Sequence, residues 1–420
     1  METGFGLSNR RDALVLENHL VDWLSGCVTC RQRLETLQRW QDEVGHPNPV
    51  VVVEERNRAR ELWRELEDFP AERLTEQLEE RHFFWAMCSL LVEKSKEALA
   101  YSPARSVTLA HAAVSLTVFL DPEYYSPPLL ADLRARAWAY LGNAQRVAGD
   151  LEASEKSLRD AMVFVSRGTG ATLTRGTVAD LLGSLRVDQR RLTEAVQSLQ
   201  QAADLYDRAD RPDLVGKVHL LLGNVADLNQ DPSQAIFHLT KAQQLIDEED
   251  HAYLFANCQH NLLHALIKAG HYEEAELRLP LVERLWRKIG HYRNLLRLRW
   301  SEGHIRRQLG DSHAALNIYR EVSARFERDR SYYDMALVEL DIAELLAGCN
   351  RYPELAEAAD RAYRILEQHS VHAEALRALL LLGEAARAET ATVNMIRTLI
   401  ELFSSRKGMA LGRSPLISEP

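Results

Sequence analysis

The chain has 420 residues, of which 46% are apolar and 27% charged, and its formal net charge is -10 at pH 7. This composition is too apolar for a disordered chain, and the negative charge argues against non-specific binding to nucleic acid or anionic membranes. Because no apolar run approaches about 18 residues and the first twelve residues are polar, we expect neither a membrane span nor a secretory signal. Five dispersed cysteines do not resemble a disulfide framework, which favours a reducing cytoplasm.

Residues 1–48 are predicted to form an N-terminal helical hairpin with a Cys-x2-Cys spacing. The stretch 12–45 is charged and favours helix, and the prolines that follow within Gly45–Pro49 then deny a helix its hydrogen bonds. Cys27 and Cys30 are the candidate metal ligands of this hairpin. Two thiols at this spacing on a helix are otherwise plain buried cysteines.

The sequence around Cys27 and Cys30 resembles the zinc-binding head of bacterial anti-sigma factors, in which a His lies four residues before the first Cys. Trp23 occupies that position here, and His19 lies a further turn upstream, so only two ligands are in place. The resemblance implies either a zinc site or a metal-free relic of the same helical module. The relic would imply a partner related to transcription.

Residues 49–130 are predicted to form divergent capping helices and a first repeat. A bulky apolar stripe around Trp85 indicates a buried helix. The stretch 121–128 contains three prolines, and we expect it to be an exposed loop before the regular part begins.

Residues 131–405 are predicted to form seven helix pairs, because a small residue recurs with a first step of 41 residues and then five of 40. Apolar residues recur sixteen and nineteen positions after each of these markers, so small and large side chains alternate between the packed helices. The markers are Gly142, Gly183, Gly223, Leu263, Gly303, Ala343 and Gly383. Residues 406–420 are rich in Arg, Gly, Ser and Pro and are predicted to be a disordered tail.

The unit with Trp138, Leu141, Gly142, Leu158 and Ala161 resembles the tetratricopeptide repeat family of bacterial type. The resemblance covers residues 76–405, with a period of 40 where the family has about 34, and longer helices or links account for the difference. It implies an all-α, right-handed superhelical solenoid of antiparallel helix pairs.

The resemblance also implies which side chains face the concave groove. They lie on the first helix of each unit, on either side of the marker. The candidate groove residues are Asn143, Arg146, Asn224, His260, His264, Arg297, Trp300, His304 and Arg307. In this family an Asn directly after the marker bonds the backbone of an extended ligand, which makes Asn143 and Asn224 candidates for that contact. The alternative is that these positions are solvated polar residues on an exposed face.

One predicted helix, residues 291–307, is strongly basic within an acidic chain. Arg293, Arg297, Trp300, His304 and Arg307 follow a spacing of three and four residues and therefore share a face. Guanidinium groups around an indole can hold carboxylates, which predicts an acidic peptide or protein segment as ligand. The alternative is that the arginines pair with acidic residues of neighbouring units while Trp300 packs between helices. One basic helix is weak support for nucleic acid.

Two imidazoles one turn apart, those of His260 and His264, suggest a metal-dependent activity together with His304. A hydrolase of this type has a Glu after the first His, and Asn261 stands there instead. The sequence contains no Gly-rich phosphate loop, nucleophile elbow or kinase signature, so we expect no enzyme and no cofactor.

The sequence therefore predicts a cytoplasmic, bacterial, non-enzymatic scaffold or adaptor whose groove binds a peptide or protein segment of acidic character. The first alternative is a signal-responsive, transcription-related regulator that uses the N-terminal hairpin. The second alternative is the metal-dependent activity at His260, His264 and His304.

Overall fold

A computed structural model describes residues 49–67, 69, 78, 80–82, 84–368 and 373–410 of the protein. All regular structure in this part of the chain is helical. The predicted hairpin at 1–48, with Cys27 and Cys30, lies outside the described residues.

The N-terminal helices are α1 (Pro49–Leu66), α2 (Trp85–Ala98), α3 (Pro103–Leu116) and the short α4 (Pro122–Tyr125). The helices of the regular part are α5 (Pro127–Ala148), α6 (Leu151–Val165), α7 (Thr172–Asp188), α8 (Leu192–Arg208), α9 (Pro212–Leu228), α10 (Pro232–Leu245), α11 (Ala252–Ala269), α12 (Tyr272–Ile289), α13 (Tyr292–Gln308), α14 (Ser312–Arg328), α15 (Tyr332–Gly348) and α16 (Tyr352–Gln368). The last two helices of the described residues are α17 (Ala373–Arg387) and α18 (Val393–Ala410).

The helices from α5 to α16 form six antiparallel pairs. The first helix of each pair packs against its own partner, and the second helix packs against the first helix of the next pair. Such stacking buries each unit only against its neighbours, so the molecule is an all-α solenoid as the sequence predicts. The segment 121–128 is exposed as expected, apart from Tyr125, but the prediction of a loop is wrong. Asp121 accepts a hydrogen bond from the Glu123 backbone N–H and starts α4, and Pro127 then starts α5.

Small marker residues allow the two helices of a pair to approach closely. A Cβ built at Gly142, Gly183, Gly223 or Gly303 would lie 2.8, 2.7, 2.6 or 2.5 Å from the nearest side-chain atom of the residue sixteen positions later. Those facing residues are Leu158, Leu199, Leu239 and Tyr319, each at most 1% exposed. The sixteen-residue offset in the sequence is therefore the contact between a Gly on the first helix and a large side chain on the second.

The turns between helices repeat every twenty residues. In five of these turns Gln230, Gly270, Gly290, Gly310 and Arg330 have positive φ, between 56° and 92°. The next residue then donates its backbone N–H to the carbonyl five positions earlier, as in Asp231 to Ala226 at 2.9 Å. This left-handed closing turn satisfies carbonyls that the helix end leaves open.

Aspartates start several second helices. The side chains of Asp150, Asp231 and Asp311 accept a hydrogen bond from the backbone N–H three residues later, at 2.9 to 3.0 Å. An acceptor at this position satisfies one of the free N–H groups of the first turn. The sequence thus specifies both ends of the helix hairpins locally.

The C-terminal pair departs from the other six. α18 packs mainly against α15 rather than against α17, and Arg397 of α18 pairs with Glu344 at 2.8 Å. A Cβ at Gly383 would meet Asp360, 3.1 Å away, instead of a residue sixteen positions later. As a result α15 is buried on nearly all sides, together with four acidic side chains: Asp334, Glu339, Asp341 and Glu344.

Candidate binding surface on the first helices

The first helices of successive pairs, α5, α7, α9, α11, α13 and α15, lie next to one another in that order, and we call the face along which they meet the inner surface. Direct polar contacts join most neighbours across it. These contacts are Arg146–Asp188 at 2.6 Å, Lys217–Asp180 at 3.0 Å, Asn261–Asn224 at 2.8 Å, Lys268–Asp227 at 2.7 Å, Trp300–Asp341 at 2.7 Å and Arg307–Glu344 at 2.8 Å. Four of the predicted groove residues, Arg146, Asn224, Trp300 and Arg307, therefore contact a side chain of a neighbouring first helix.

Asn143 and Arg146 are buried in this arrangement, at 8% and 6% exposure. The guanidinium of Arg146 donates to Oδ1 of Asn143 through Nε at 3.2 Å and Nη2 at 2.9 Å, and Nη1 donates to Asp188. A charge of this burial needs such partners, because an unpaired buried ion costs several kcal/mol. Both side chains are therefore committed to holding α5 against α7, which weakens their case as ligand contacts.

The basic helix α13 finds acidic partners within the chain. Arg307 pairs with both carboxylate oxygens of Glu344, and the indole of Trp300 and the imidazole of His304 contact the carboxylate of Asp341. Tyr319 and Phe326 pack edge-on against the imidazole and the indole. Trp300, His304 and Arg307 therefore follow the alternative interpretation of the sequence, in which the basic helix pairs with acidic residues of a neighbouring unit and Trp300 packs between helices.

These carboxylates titrate differently because their surroundings differ. Burial raises the pKa of Asp341 above its usual range, against the opposing effects of His304 and the Trp300 hydrogen bond. The pKa of Glu344 is lowered, because the hydrogen bonds and charges of Arg307 and Arg397 outweigh its desolvation. Glu344 is thus the anion that neutralises the C-terminal part of α13.

The series of polar contacts is interrupted between α11 and α13. Among the described residues, no hydrogen bond or ion pair joins these two helices, although every other neighbouring pair of first helices from α5 to α15 has one. His260, His264 and Arg297 lie at this boundary between α11 and α13, which we call the gap. Arg297 is half-buried, and its guanidinium has no carboxylate or hydrogen-bond partner in the part of the chain that the structure describes.

The imidazoles of the gap are held neutral. Burial, followed by the charges of His264 and Arg297, lowers the pKa of His260 to about 3, and its Nδ1 accepts a hydrogen bond from the buried Trp286 indole at 3.0 Å. Desolvation and the Lys268 ammonium lower the pKa of His264, against the opposing charge of Asp227, and its side chain keeps 48% exposure. The fixed positive charge of the gap is therefore that of Arg297.

One amide pair lies beside the gap. Nδ2 of Asn261 donates to Oδ1 of Asn224, which leaves Nδ2 of Asn224 and Oδ1 of Asn261 with no hydrogen-bond partner among the described residues. One donor and one acceptor side by side match the alternating groups of an extended peptide backbone. The predicted role of Asn224 stays a prediction with this geometry in its favour.

The geometry does not support the metal hypothesis for His260, His264 and His304. Throughout the described ranges, no group of three or more His, Cys, Asp or Glu side chains is arranged to hold a metal ion. Nδ1 of His260 is used by Trp286, and His304 is held between Tyr319 and Asp341. The nearby Cys258 is buried and donates to the Leu239 carbonyl, and burial raises its pKa to about 12, so its thiol stays protonated.

A cavity of about 450 Å³ at the N-terminal end was not predicted from the sequence. Five helices line it, and its cationic side chains are Arg56, Arg60, Lys96, Arg136 and Arg211. These positions are scattered over more than 150 residues, so no local run of basic residues marks them in the sequence. Only the stacking of α1, α2, α5, α7 and α9 brings them together.

No helix within the described residues is both long and apolar enough to cross a bilayer. No family model and no curated protein matches the sequence. Solved structures match it at low identity. The apo form of RapI aligns with a TM-score of 0.58 and 12% identity, over 77% of this chain and 88% of that one. A Rap protein complexed with competence and sporulation factor aligns with a TM-score of 0.53 and 13% identity, over 77% and 88% of the two chains.

A signal transduction ATPase with a tetratricopeptide repeat sensor, from Pyrococcus horikoshii, is also similar. It aligns with a TM-score of 0.53 and 15% identity over 87% of this chain and 54% of its own. Likeness at this level of identity concerns the fold, and the helix pairs, marker contacts and turns described above agree with it. The chain has the fold of a tetratricopeptide-repeat solenoid.

Proposed function

We propose that this protein is a non-enzymatic adaptor that binds a peptide or protein segment on its inner surface, at the gap between α11 and α13. The observation that carries the proposal is the half-buried guanidinium of Arg297, which has no partner among the residues that the structure describes. Within the same residues, it lies where two neighbouring first helices lack a polar contact. Leaving such a charge unpaired is unfavourable, and a carboxylate from a bound segment would neutralise it.

The neighbouring side chains suit an extended segment. The amide pair of Asn224 and Asn261 offers one donor and one acceptor to a peptide backbone, and His264 offers a neutral, half-exposed imidazole. We therefore place a ligand carboxylate at Arg297 and its main chain along Asn224 and Asn261. Compared with the sequence prediction, the acidic ligand meets one arginine here, because Arg307 is already paired with Glu344.

A solved structure of the same fold gives a parallel. The Rap protein that aligns with this chain was solved as a complex with competence and sporulation factor. That complex shows the fold used for binding another molecule, and it supports a binding role for this chain. A bacterial, cytoplasmic setting and a regulatory role remain proposals on the same basis.

A peptide-display selection against the full-length protein tests the proposal. A library of random linear peptides is selected on the wild type, and enriched peptides are synthesised and titrated against three proteins: wild type, Asn224→Ala with Arg297→Ala, and Arg299→Ala. Arg299 is the matched control, because it lies on the same helix but pairs with Glu302 and Glu321.

We expect enriched peptides to contain Asp or Glu and to bind the double variant at least about tenfold more weakly, since a hydrogen bond to a charged group contributes about 1.5–3 kcal/mol. The Arg299→Ala protein should bind like the wild type. If no peptide is enriched, or if the double variant binds as tightly as the wild type, the gap is not the binding site.

A further inference from the structure

α12, the helix between the two first helices that border the gap, carries a proline in its interior. Pro280 is the ninth residue of α12, whereas every other proline in the helices of the described ranges is the first or second residue of its helix. Pro280 has no N–H to donate to the carbonyl of Glu276 four positions earlier, and a proline ring disturbs the preceding turn. The hydrogen-bond series of α12 is therefore interrupted at its middle, and helices bend at such points.

Both connections of α12 contain a glycine in the left-handed conformation. Gly270, between α11 and α12, has a φ of 83°, and Gly290, between α12 and α13, has a φ of 77°. The turns before α10 and α15 use Gln230 and Arg330 at this position instead. Because a glycine has no Cβ, it covers a wider range of backbone angles, so these two connections can absorb a change in the angle between helices.

The first helices on either side of α12 are bonded to their outer neighbours but not to each other. Among the described residues, no hydrogen bond or ion pair crosses the gap from α11 to α13. Side-chain contacts join α11 to α9 and α13 to α15: Asn261–Asn224, Lys268–Asp227, Trp300–Asp341 and Arg307–Glu344. One series of polar contacts thus ends at α11, and a second series begins at α13.

The contact of α12 with α13 is mainly apolar. In the part of the chain that the structure describes, the ion pair of Arg306 with Glu276 is the one side-chain hydrogen bond or ion pair between these helices, and its side chains are 36% and 35% exposed. Ion pairs of this exposure contribute little to stability. Leu285 and Ile305 are buried in the same apolar cluster. Apolar packing is not directional, so packed helices can shift slightly against one another.

We propose that the solenoid bends at α12, so that α5–α11 and α13–α18 move as two rigid parts about this hinge. Three separate features fall on this helix: the interior proline, a glycine at both connections, and first helices on either side that share no polar contact within the described residues. The gap is the line along which the two parts face each other. Bending at α12 therefore widens or narrows the inner surface there, whether or not the gap holds a ligand.

Double electron–electron resonance on the full-length protein tests the hinge. Nitroxide labels are attached to p-acetylphenylalanine at two positions, which leaves the native cysteines unlabelled. The test pair, Phe237 with Asn317, spans α12, and the control pair, Lys156 with Phe237, spans α8. All three side chains are exposed and lie within helices, fourteen residues after the marker of their unit.

We expect a broader distance distribution for the test pair than for the control pair in the wild type. Pro280→Ala restores the missing N–H and should narrow the test distribution to the width of the control. Thr240→Ala, at the equivalent position of α10, should leave it unchanged.

Equal widths for the two pairs in the wild type would overturn the hinge, and this comparison needs no substitution at Pro280. A test distribution that stays as broad in Pro280→Ala as in the wild type would also overturn it.

Discussion

Trp300 and Asp341 are 41 positions apart in the chain, and the indole Nε1 of Trp300 donates a hydrogen bond of 2.7 Å to Oδ2 of Asp341. The same oxygen lies 3.4 Å from Nε2 of His304, and the carboxylate is almost fully buried. One acidic side chain of α15 therefore satisfies two polar rings of α13. The contact shows how a strip that looks like a ligand site in the sequence can be an interface between units.

Replacing Asp341 by Leu should destabilise the solenoid. The change leaves the Trp300 indole and the His304 imidazole without their acceptor, and we expect the free energy of unfolding to fall by about 1–3 kcal/mol. Urea unfolding followed by circular dichroism measures it. Asp207→Leu is the control, because Asp207 is exposed on α8 and should change stability by less than about 0.5 kcal/mol. Equal effects of the two changes would contradict the structural role of Asp341.

Adding a methyl group at a marker position should also be costly. In Gly223→Ala the new Cβ would lie 2.6 Å from Cγ of the buried Leu239, so the helices must move apart, at a cost of about 1–3 kcal/mol. Gly348→Ala is the matched change, because Gly348 is helical and no atom lies within 4 Å of its Cβ position. We expect that variant to be as stable as the wild type or more stable by up to about 1 kcal/mol, as thermal unfolding would show.

In the left-handed turns, introducing a Gly and removing a Gly should have opposite effects on stability. Arg330 has a φ of 56°, a conformation that disfavours side chains with a Cβ, so Arg330→Gly should raise the free energy of unfolding by about 0.5–1 kcal/mol. Gly310 has a φ of 92° in the equivalent turn, and Gly310→Ala should lower it by about 1 kcal/mol. Chemical denaturation of both variants beside the wild type checks the signs, and a loss of stability in both would be inconsistent with these turns.

Acid should destabilise the folded chain through its neutral histidines. The pKa of His260 is lowered to about 3, so the unfolded chain binds a proton near pH 6.5 while the folded chain does not. The stability from this group is complete above pH 6.5 and is lost as the pH falls toward 3, with a slope of up to about 1.4 kcal/mol per pH unit.

The variant His260→Gln isolates this effect, because an amide oxygen can still accept the Trp286 hydrogen bond but does not titrate. Unfolding measured between pH 7.5 and pH 5 should show a smaller slope for His260→Gln than for the wild type. His313→Gln, at an exposed position on α14, should keep the slope of the wild type. A slope that His260→Gln leaves unchanged would assign the acid sensitivity to other groups.

The helix pairs were predictable because their determinants are local or periodic. Gly223 and Leu239 lie sixteen residues apart, and Gly142, Gly183 and Gly303 contact a large side chain at the same offset, so repetition makes the contact visible in one sequence. The departure of α18 was not predictable in this way. Its packing on α15 depends on a contact such as Arg397 with Glu344, which joins residues 53 positions apart and occurs once.

For the candidate site, the sequence predicted only which side chains share one face of a helix. The spacing of Arg297, Trp300 and Arg307 places them on one side of α13, but the sequence does not say which of them meet an acid of the next unit. In the structure Trp300 contacts Asp341 and Arg307 contacts Glu344, whereas the guanidinium of Arg297 has no acidic partner among the described residues. The N-terminal cavity could not be predicted, because its cationic residues follow no regular spacing in the sequence.

The polar contacts along the inner surface join residues 37 to 42 positions apart, close to one unit of the repeat. Inserting a single residue into a helix would rotate all following side chains of that helix by about 100°, so that they no longer meet their partners on the neighbouring helix. Inserting or deleting a whole unit would recreate each contact with the equivalent neighbour. The molecule can therefore change its length only in steps of a complete helix pair, and the distance between the basic cavity and the gap is set by a whole number of units.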